Sequence, residues 1–321
     1  MRDRNENTMN IEGKIYQFDL AEKVTGENSK QPGTHYINGT VDIATDASLE
    51  NIVQVHYTYV TPVYSSGKSN ATYTALKQII DSGKTVINDG YEAATVIKAN
   101  PSYSVNDFFP QGQEVPVSNP RNEGGFVSIV PEATLHPEGD VGRSKFTVDV
   151  IIGSVNEVVP EDGDSYAEIK GYAFDFRNAV LPITLVARNE SAIKYFVDLD
   201  ASPEHPVFTK IWGKIVNTFK KIEKVTESAF GEATVDTVTR RSREFLITGA
   251  NPVPYEFDTE ATITAKEFEK ALQDREVYLA ETKKRSDEWR ASQSNAAAAA
   301  SNASPAAQAA SAAVKPGGFE F

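Results

Sequence analysis

The sequence predicts a mainly β protein with one long helix near its C-terminus. Three observations support this: segments in which apolar and polar residues alternate, turn residues between those segments, and a helical pattern that starts near residue 264. The 321 residues can form one large or two smaller cores. Prolines and glycines concentrate between Pro110 and Gly142, either as a domain boundary or as long loops of one β core. We favour two β domains, residues 1–140 and 141–290.

The clearest strand pattern is 51–64, where Val53, Val55, Tyr57 and Tyr59 alternate with polar residues. These residues should form one face of a strand, with the polar residues on the other face. Further strands are predicted at 11–20, 35–44, 126–130, 145–159, 167–176, 181–187, 193–199, 207–218 and 243–248. A short helix is predicted at 71–81.

The long helix is predicted to span residues 264–289. Thr264 and Glu267 have the spacing of a capping box, in which each side chain accepts a hydrogen bond from the other residue's backbone N–H. The apolar residues that follow share one stripe, which should pack on the last sheet. This stripe consists of Phe268, Leu272 and Leu279.

The composition excludes several classes of function. The net charge of −13 argues against a surface that is basic all over, although a local basic face is compatible with it. The absence of cysteine excludes disulfides, thiolate metal sites and cysteine nucleophiles. No apolar segment has the length of a signal peptide core or a membrane span, so we expect a cytoplasmic protein.

No pattern in the sequence predicts an enzyme. Residues 66–69 and 82–85 resemble phosphate-binding loops, but both lack the earlier glycine that such a loop needs. The four histidines are scattered without metal-ligand spacing. We therefore expect no catalytic residues, no cofactor and no metal ion.

The C-terminal tail has its own composition. After Arg290 the chain is rich in Ala, Ser, Asn and Gln, a composition that predicts disorder. It ends in Phe319, Glu320 and Phe321. This aromatic tip is predicted to bind either a pocket of a partner protein or the chain's own folded part.

One strand combines aromatic and basic residues on a single face. In the predicted strand 207–218, alternation places Phe208, Lys210, Trp212 and Lys214 together, opposite an apolar face. Bases of single-stranded nucleic acid stack on flat rings while cations contact the phosphates, so this face is a candidate binding surface. The alternative is that Trp212 is buried beneath a helix. The pattern continues in Phe219, Lys220, Lys221 and Lys224, and a neighbouring strand adds Arg240, Arg241 and Arg243.

A short internal similarity links the two halves. The residues Glu12-Gly13-Lys14-Ile15 resemble Trp212-Gly213-Lys214-Ile215, which agrees with two β modules of the same type. In the first half, alternation would place Lys14, Tyr16 and Phe18 on one face as a smaller version of the candidate surface.

These features together resemble the single-stranded DNA-binding proteins of bacteriophages. The shared features are a β-rich core, an aromatic and basic strand, an acidic chain and a low-complexity tail that ends in phenylalanine. The resemblance implies an OB-fold and a protein that coats single-stranded DNA in replication, recombination and repair in the bacterial cytoplasm. It also implies that bases stack on Trp212, Phe208, Tyr16 and Phe18. The lysines and arginines named above would contact phosphates, and the tail tip would recruit replication or recombination proteins.

The tail departs from this resemblance in its charge. Such tails are usually strongly acidic, whereas this one has only Lys315 and Glu320 as charged residues after Arg290. We therefore do not expect the tail to compete with DNA. The alternative function is a virion structural or assembly protein, which would self-assemble into homo-oligomers without affinity for nucleic acid.

Overall fold

The strands pair in an order that closes two rings, one from each half of the chain. The computed structural model describes residues 5–160, 164–226, 234–259 and 263–301, with only the backbone described for 218–226, 234–242 and 294–301. In this part of the chain, ten strands form one continuous sheet.

The first ring closes by five pairings among its own strands. Four are antiparallel and the β3–β5 pairing is parallel, in the order β1-β2-β3-β5-β4 and back to β1. Its strands are β1 (Asn7–Val24), β2 (His35–Ala44), β3 (Ile52–Val60), β4 (Val96–Phe108) and β5 (Val117–Ile129).

The second ring repeats this order. It runs β6-β7-β8-β10-β9 and back to β6, and its third and fifth strands are again the parallel pair. Its strands are β6 (Ser144–Val158), β7 (Tyr166–Phe174), β8 (Val180–Ala187), β9 (Val207–Thr226) and β10 (Thr234–Ala250).

A helix lies between the third and fourth strands of each ring. These helices are α1 (Ala71–Ser82), followed by the short α2 (Val86–Asp89), in the first ring and α3 (Glu190–Asp198) in the second. Five strands in this closed order, with a helix at this position, have the connectivity of the OB-fold. The predicted mainly β, OB-like fold with a C-terminal helix is therefore confirmed.

The two rings are joined along one strand. The start of β1 pairs with β6 from Asn7↔Val148 to Ile11↔Ser144, while the rest of β1 pairs with β2 and β4. The largest hydrophobic cluster contains side chains of both rings, for example Val55 and Ile79 from the first and Ile169 and Phe196 from the second. The rings therefore share one apolar interior.

The C-terminal helix α4 spans Ala265–Ser301 and begins with the predicted capping box. The Thr264 backbone N–H donates to the Glu267 carboxylate at 2.9 Å, and the Glu267 N–H donates to the Thr264 hydroxyl at 3.2 Å. Phe268 and Leu272 pack on a second hydrophobic cluster, as expected. The helix extends beyond its predicted end at Trp289, and residues 302–321 of the predicted tail lie outside the described residues.

Several predicted elements are wrong. The predicted strand 193–199 is helix α3, whose N-terminus is capped by the Asn189 side chain, and strand β4 was not predicted at all. The predicted strand 126–130 is only the end of β5, which begins at Val117, within the region expected to be a boundary or long loops, because Gly124 and Gly125 form a bulge in the strand and do not end it. Tyr59 is 48% exposed, since a register shift near the end of β3 reverses the alternation after Tyr57.

The internal similarity does not mark equivalent strands. Gly13 lies in the first strand of its ring, whereas Gly213 lies in the fourth strand of the other. Both glycines meet the same local need: a Cβ atom would lie 2.0 Å from the Ala44 carbonyl oxygen at Gly13 and 2.0 Å from that of Leu246 at Gly213. The shared glycine reflects close approach of strands.

Two short 3-10 helices, Glu132–Thr134 and Val141–Arg143, lie in the segment between the rings. None of the helices among the described residues is both long and apolar enough to span a membrane.

Candidate nucleic-acid interface

Phe208 is part of the interior and not of a binding surface. Its side chain is 1% exposed, and the Tyr255 backbone N–H donates to the Phe208 carbonyl at 2.7 Å. The rings of Tyr255 and Phe257 cover it at centroid distances of 5.1 and 5.8 Å. The predicted exposure of Phe208 is wrong because the chain after β10 folds back over this end of β9.

The next predicted cation, Lys210, has an acidic partner. Its Nζ lies 2.8 Å from a carboxylate oxygen of Glu6. The hydrogen bond to Glu6 raises the pKa of Lys210, and the nearby Asp149 adds to the effect. Its charge is therefore already balanced within the chain.

Trp212 is partly exposed on the outer face of the sheet and lies against Gly249. A Cβ atom at Gly249 would lie 2.5 Å from the indole Nε1, so only glycine leaves room for the ring there. Trp212 is thus held flat along β10, with part of its surface open to solvent.

Lys214 lies directly opposite another lysine, Lys145 on β6. Within the described residues, neither ammonium group has a carboxylate within 4.0 Å. Like charges directly opposite each other on neighbouring strands are destabilising unless an anion offsets them.

The predicted face of Lys14, Tyr16 and Phe18 does not exist. The register of β1 against β2 shifts between Ile15 and Gln17, and this bulge reverses the alternation. Phe18 therefore packs on the main core. Lys14 is 1% exposed, with its Nζ 3.2 Å from Glu132 and 4.3 Å from the centre of the Tyr91 ring.

The remaining β9 and β10 residues occupy a long hairpin. In its backbone register, Lys220 is opposite Arg240 and Phe219 is opposite Arg241. Lys221 is opposite Thr239, and Lys224 is opposite Asp236. The side chains of Phe219, Lys220, Lys221, Lys224, Arg240 and Arg241 lie outside the described residues, as does the tail tip of Phe319, Glu320 and Phe321.

Arg243, at the base of this hairpin, contacts the first ring. Its guanidinium donates to the Pro120 carbonyl at 3.0 Å and to the Asn122 side chain, and it lies 4.9 Å from the centre of the Phe245 ring. Burial lowers its pKa to about 10. Its Nε is buried without a hydrogen-bond partner, and no carboxylate among the described residues lies within 4.0 Å of the group. Arg243 is therefore a partly buried cation without an acidic partner among the described residues.

A groove of about 840 Å³ lies beside Arg243, on the outer face of β7 and β8. Its floor includes Tyr166, Lys170 and Tyr172 of β7. One wall is the β4–β5 hairpin of the other ring, where the Tyr103 hydroxyl donates to the Pro182 carbonyl at 2.6 Å. Another wall is α4, whose Phe268 ring lies 6.0 Å from that of Tyr172.

The charges of the groove leave one cation unbalanced. Lys170 lies 3.2 Å from Glu168, and Arg188 forms two hydrogen bonds with Glu244 at 2.7 and 3.1 Å. The Arg188 guanidinium also stacks over Tyr166 at 5.0 Å. Since these two pairs are neutral, Arg243 gives the groove its net positive charge.

The sequence contained a signal for this groove. In β7, Tyr166, Glu168, Lys170 and Tyr172 alternate with buried or small residues, which is the aromatic and basic pattern sought in β9. The contributions of Arg243 and Phe268 could not be inferred, because residues distant in sequence bring them to the groove.

The comparison with solved structures found matches over most of this chain. The chain is similar to the wild-type single-stranded DNA binding protein from Thermus aquaticus, with 9% identity and a TM-score of 0.46, over 80% of this chain and 98% of that chain. A deletion mutant of that protein matches with 10% identity and the same TM-score of 0.46 and coverage. No protein with a curated description is significantly similar in sequence. A match to the family described as YorF extends over residues 5–285, and the chain therefore belongs to the YorF family.

Proposed function

We propose that this protein binds single-stranded DNA with little sequence preference, and that the groove on β7 and β8 holds the strand. The observation that carries this proposal is the position of Tyr166 and Tyr172 on the outer face of β7, the second strand of an OB-type ring, beside the unbalanced cation Arg243. This face and the adjoining loops are where OB-folds bind oligonucleotides.

The two tyrosines supply the stacking surfaces. Each ring is partly exposed, and the distance from Tyr166 to Tyr172 along the strand is about 20 Å at the usual rise of a β-strand. Because every base has a flat face, stacking on such rings tolerates all sequences and contributes roughly 1–3 kcal/mol for each base.

The cations supply the phosphate contacts. Arg243 gives the groove its unbalanced positive charge, and the hairpin beyond it contains Lys220, Lys221, Lys224, Arg240 and Arg241. An acidic chain that concentrates cations on one hairpin would direct a polyanion to that region.

The proposed role follows from the same chemistry. We propose that the protein coats single-stranded DNA during phage replication, recombination or repair in the bacterial cytoplasm. In this proposal Phe319, Glu320 and Phe321 recruit proteins of that machinery. The near-neutral residues between Arg290 and the tip would act as a tether only.

The test is fluorescence anisotropy of a labelled oligo(dT) with the Y166L/Y172L double variant. Loss of two stacking rings should weaken binding by at least tenfold, since about 1.4 kcal/mol corresponds to a factor of ten. The control is Y278L, because Tyr278 is 46% exposed on α4 and does not line the groove. Thermal melts establish that all variants are folded.

Two results would contradict the proposal. The first is equal affinity of the double variant and Y278L, which would exclude the groove as the site. The second is that the wild type binds no oligo(dT) at low salt. If light scattering also shows that the protein self-assembles, the result would favour an assembly protein.

A further inference from the structure

Two aromatic residues with surface open to solvent lie outside the groove, on the outer faces of β5 and β9. Phe126 is 65% exposed on the outer face of β5. Trp212 lies on the outer face of β9, with its indole against Gly249. Neither residue lines the groove.

A continuous row of residues connects the two aromatic rings across five neighbouring strands. Phe126 pairs with Asn100 on β4, and the Asn100 side-chain amide donates to the Asn10 side-chain oxygen on β1 at 3.1 Å. Asn10 pairs with Lys145 on β6, and Lys145 pairs with Lys214 on β9, beside Trp212. We name this row the seam track: Phe126, Asn100, Asn10, Lys145, Lys214 and Trp212.

The seam track crosses from one ring to the other. Neighbouring strands lie about 4.8 Å apart, so the four steps from β5 to β9 span about 19 Å. Its only crossing between rings is the β1–β6 pairing, where Asn10 is opposite Lys145. The seam track is therefore long enough to contact several nucleotides, and both rings contribute residues to it.

The two lysines in the track lack an anion. Lys145 is exposed and Lys214 half-buried, and no described carboxylate lies within 4.0 Å of either group. Asn10 and Asn100 are hydrogen-bonded within the chain, since the Asn10 amide donates to Glu12 and to the Gly142 carbonyl and the Asn100 amide donates to Asn10. They connect the row across the strands, and its binding groups are the lysines and the aromatic rings. The two aromatic rings and the two unpaired cations supply the stacking surfaces and the phosphate contacts that a single strand needs.

We propose that the seam track is a second contact surface for single-stranded DNA, occupied by a further segment of the strand that fills the groove. This rests on the proposed function, since it assumes a strand held by the same protein. Short oligonucleotides would fill the groove alone, and longer ones would also cover Trp212 and Phe126.

The experiment uses Trp212 as its own reporter. The chain has two tryptophans, so the W289F variant retains only Trp212. Titration with oligo(dT) of increasing length should quench its fluorescence only above a threshold length. In the same background, F126A should weaken binding of long oligomers at least fivefold and leave short ones unchanged.

The salt dependence provides a second readout. The K145A/K214A variant removes two phosphate contacts, so the slope of log affinity against log salt for a long oligomer should fall by about 1.4. The control K68A/K194A removes two exposed lysines outside the track and should leave the slope unchanged.

The outcomes separate the two proposals. If long oligomers bind and Y166L/Y172L weakens that binding, but Trp212 is never quenched, the seam track is excluded and the groove stands. An unchanged salt slope in K145A/K214A would likewise overturn the seam track. If the wild type binds no oligomer, both proposals fail.

Discussion

The buried carboxylate of Glu12 shows how a charged residue is accommodated inside this fold. Its side chain is 2% exposed, but it accepts hydrogen bonds from Asn10 at 2.8 Å, from the His136 backbone N–H at 2.9 Å and from Lys98 at 3.1 Å. Burial alone would raise its pKa, whereas these donors together with the His136 ring lower the pKa to about 2. Glu12 thereby fixes the segment that joins the two rings.

This carboxylate should make stability depend on pH. Its pKa falls from 4.5 to about 2 on folding, so its contribution is complete above pH 4.5 and is lost as the pH falls toward 2. A shift of this size corresponds to about 3 kcal/mol. Urea unfolding should therefore show E12Q less stable than the wild type by about that amount at pH 7, with the difference shrinking below pH 4.5.

The exposed Glu157 provides the control for that experiment, because its substitution by Gln should change the free energy of unfolding little at either pH. A difference between E12Q and wild type that is the same at pH 7 and pH 3 would contradict the role given to Glu12.

At the residue scale, alternation in the sequence succeeded where strands are regular. It located Val53, Val55 and Tyr57 in the core and Trp212 on the opposite face from Ile211. It failed after Ile15, where a bulge reverses the faces of β1, and at Phe208, where a distant segment covers the outer face. Neither cause can be read from local spacing, since both depend on a partner strand or loop.

Among the elements, α4 acts as a brace between the rings. It starts on the second ring, but its basic residues contact the β4–β5 hairpin of the first. Arg275 pairs with Asp107 at 2.8 Å, Lys283 pairs with Glu114, and Arg290 donates to the Phe109 carbonyl. The helix thus fixes the hairpin that forms one wall of the groove.

The Arg275–Asp107 pair should be the strongest part of this brace. The side chains are 12% and 2% exposed, and removal of one partner from a buried pair leaves an uncompensated charge. D107A should therefore lower the free energy of unfolding by about 3–5 kcal/mol in urea titrations.

A matched variant at the neighbouring pair is E114A. Glu114 is 83% exposed, so loss of its contact with Lys283 should cost less than about 1 kcal/mol. Equal effects of the two substitutions would show that burial does not set the strength of the brace.

Element prediction was accurate where a local signal was strong. The capping box at Thr264 located the start of α4, and the alternation in β3 located that strand. Strand β4, with Pro101 inside it, was missed, and only the end of the glycine-containing β5 was predicted, as the strand 126–130. Prolines and glycines in a bulged strand resemble those of a loop. The groove walls come from these elements, so the groove itself could not be predicted.

For the whole molecule, charge is unevenly distributed. The chain has a net charge of −13, yet the groove has an unbalanced cation and the seam track has two. The mainly β fold could be predicted from strand patterns alone. The closure into two rings could not, since it depends on pairings such as β3–β5 and β8–β10 between strands far apart in sequence.

Removal of residues 302–321 tests whether the tail contributes to DNA binding or only connects the tip to the folded part. The part of the chain after Arg290 contains one lysine and one glutamate, so its deletion changes no net charge near the DNA. We expect the affinity for oligo(dT) and its salt slope to remain within twofold of wild type in anisotropy titrations. A marked increase in affinity on truncation would instead show that the tail competes with DNA.

The brace formed by α4 also has a consequence for synthesis of the chain. Asp107 has no ion-pair partner until Arg275, which lies 168 residues later in the chain, has been synthesised. At about 5–20 residues per second on the ribosome, the hairpin lacks its partner for roughly 8–34 s. Until β6 has emerged, the first ring can close its own strands, but the edge of β1 that later pairs with β6 is uncovered. Nascent chains stalled before β6 should therefore depend most on chaperones.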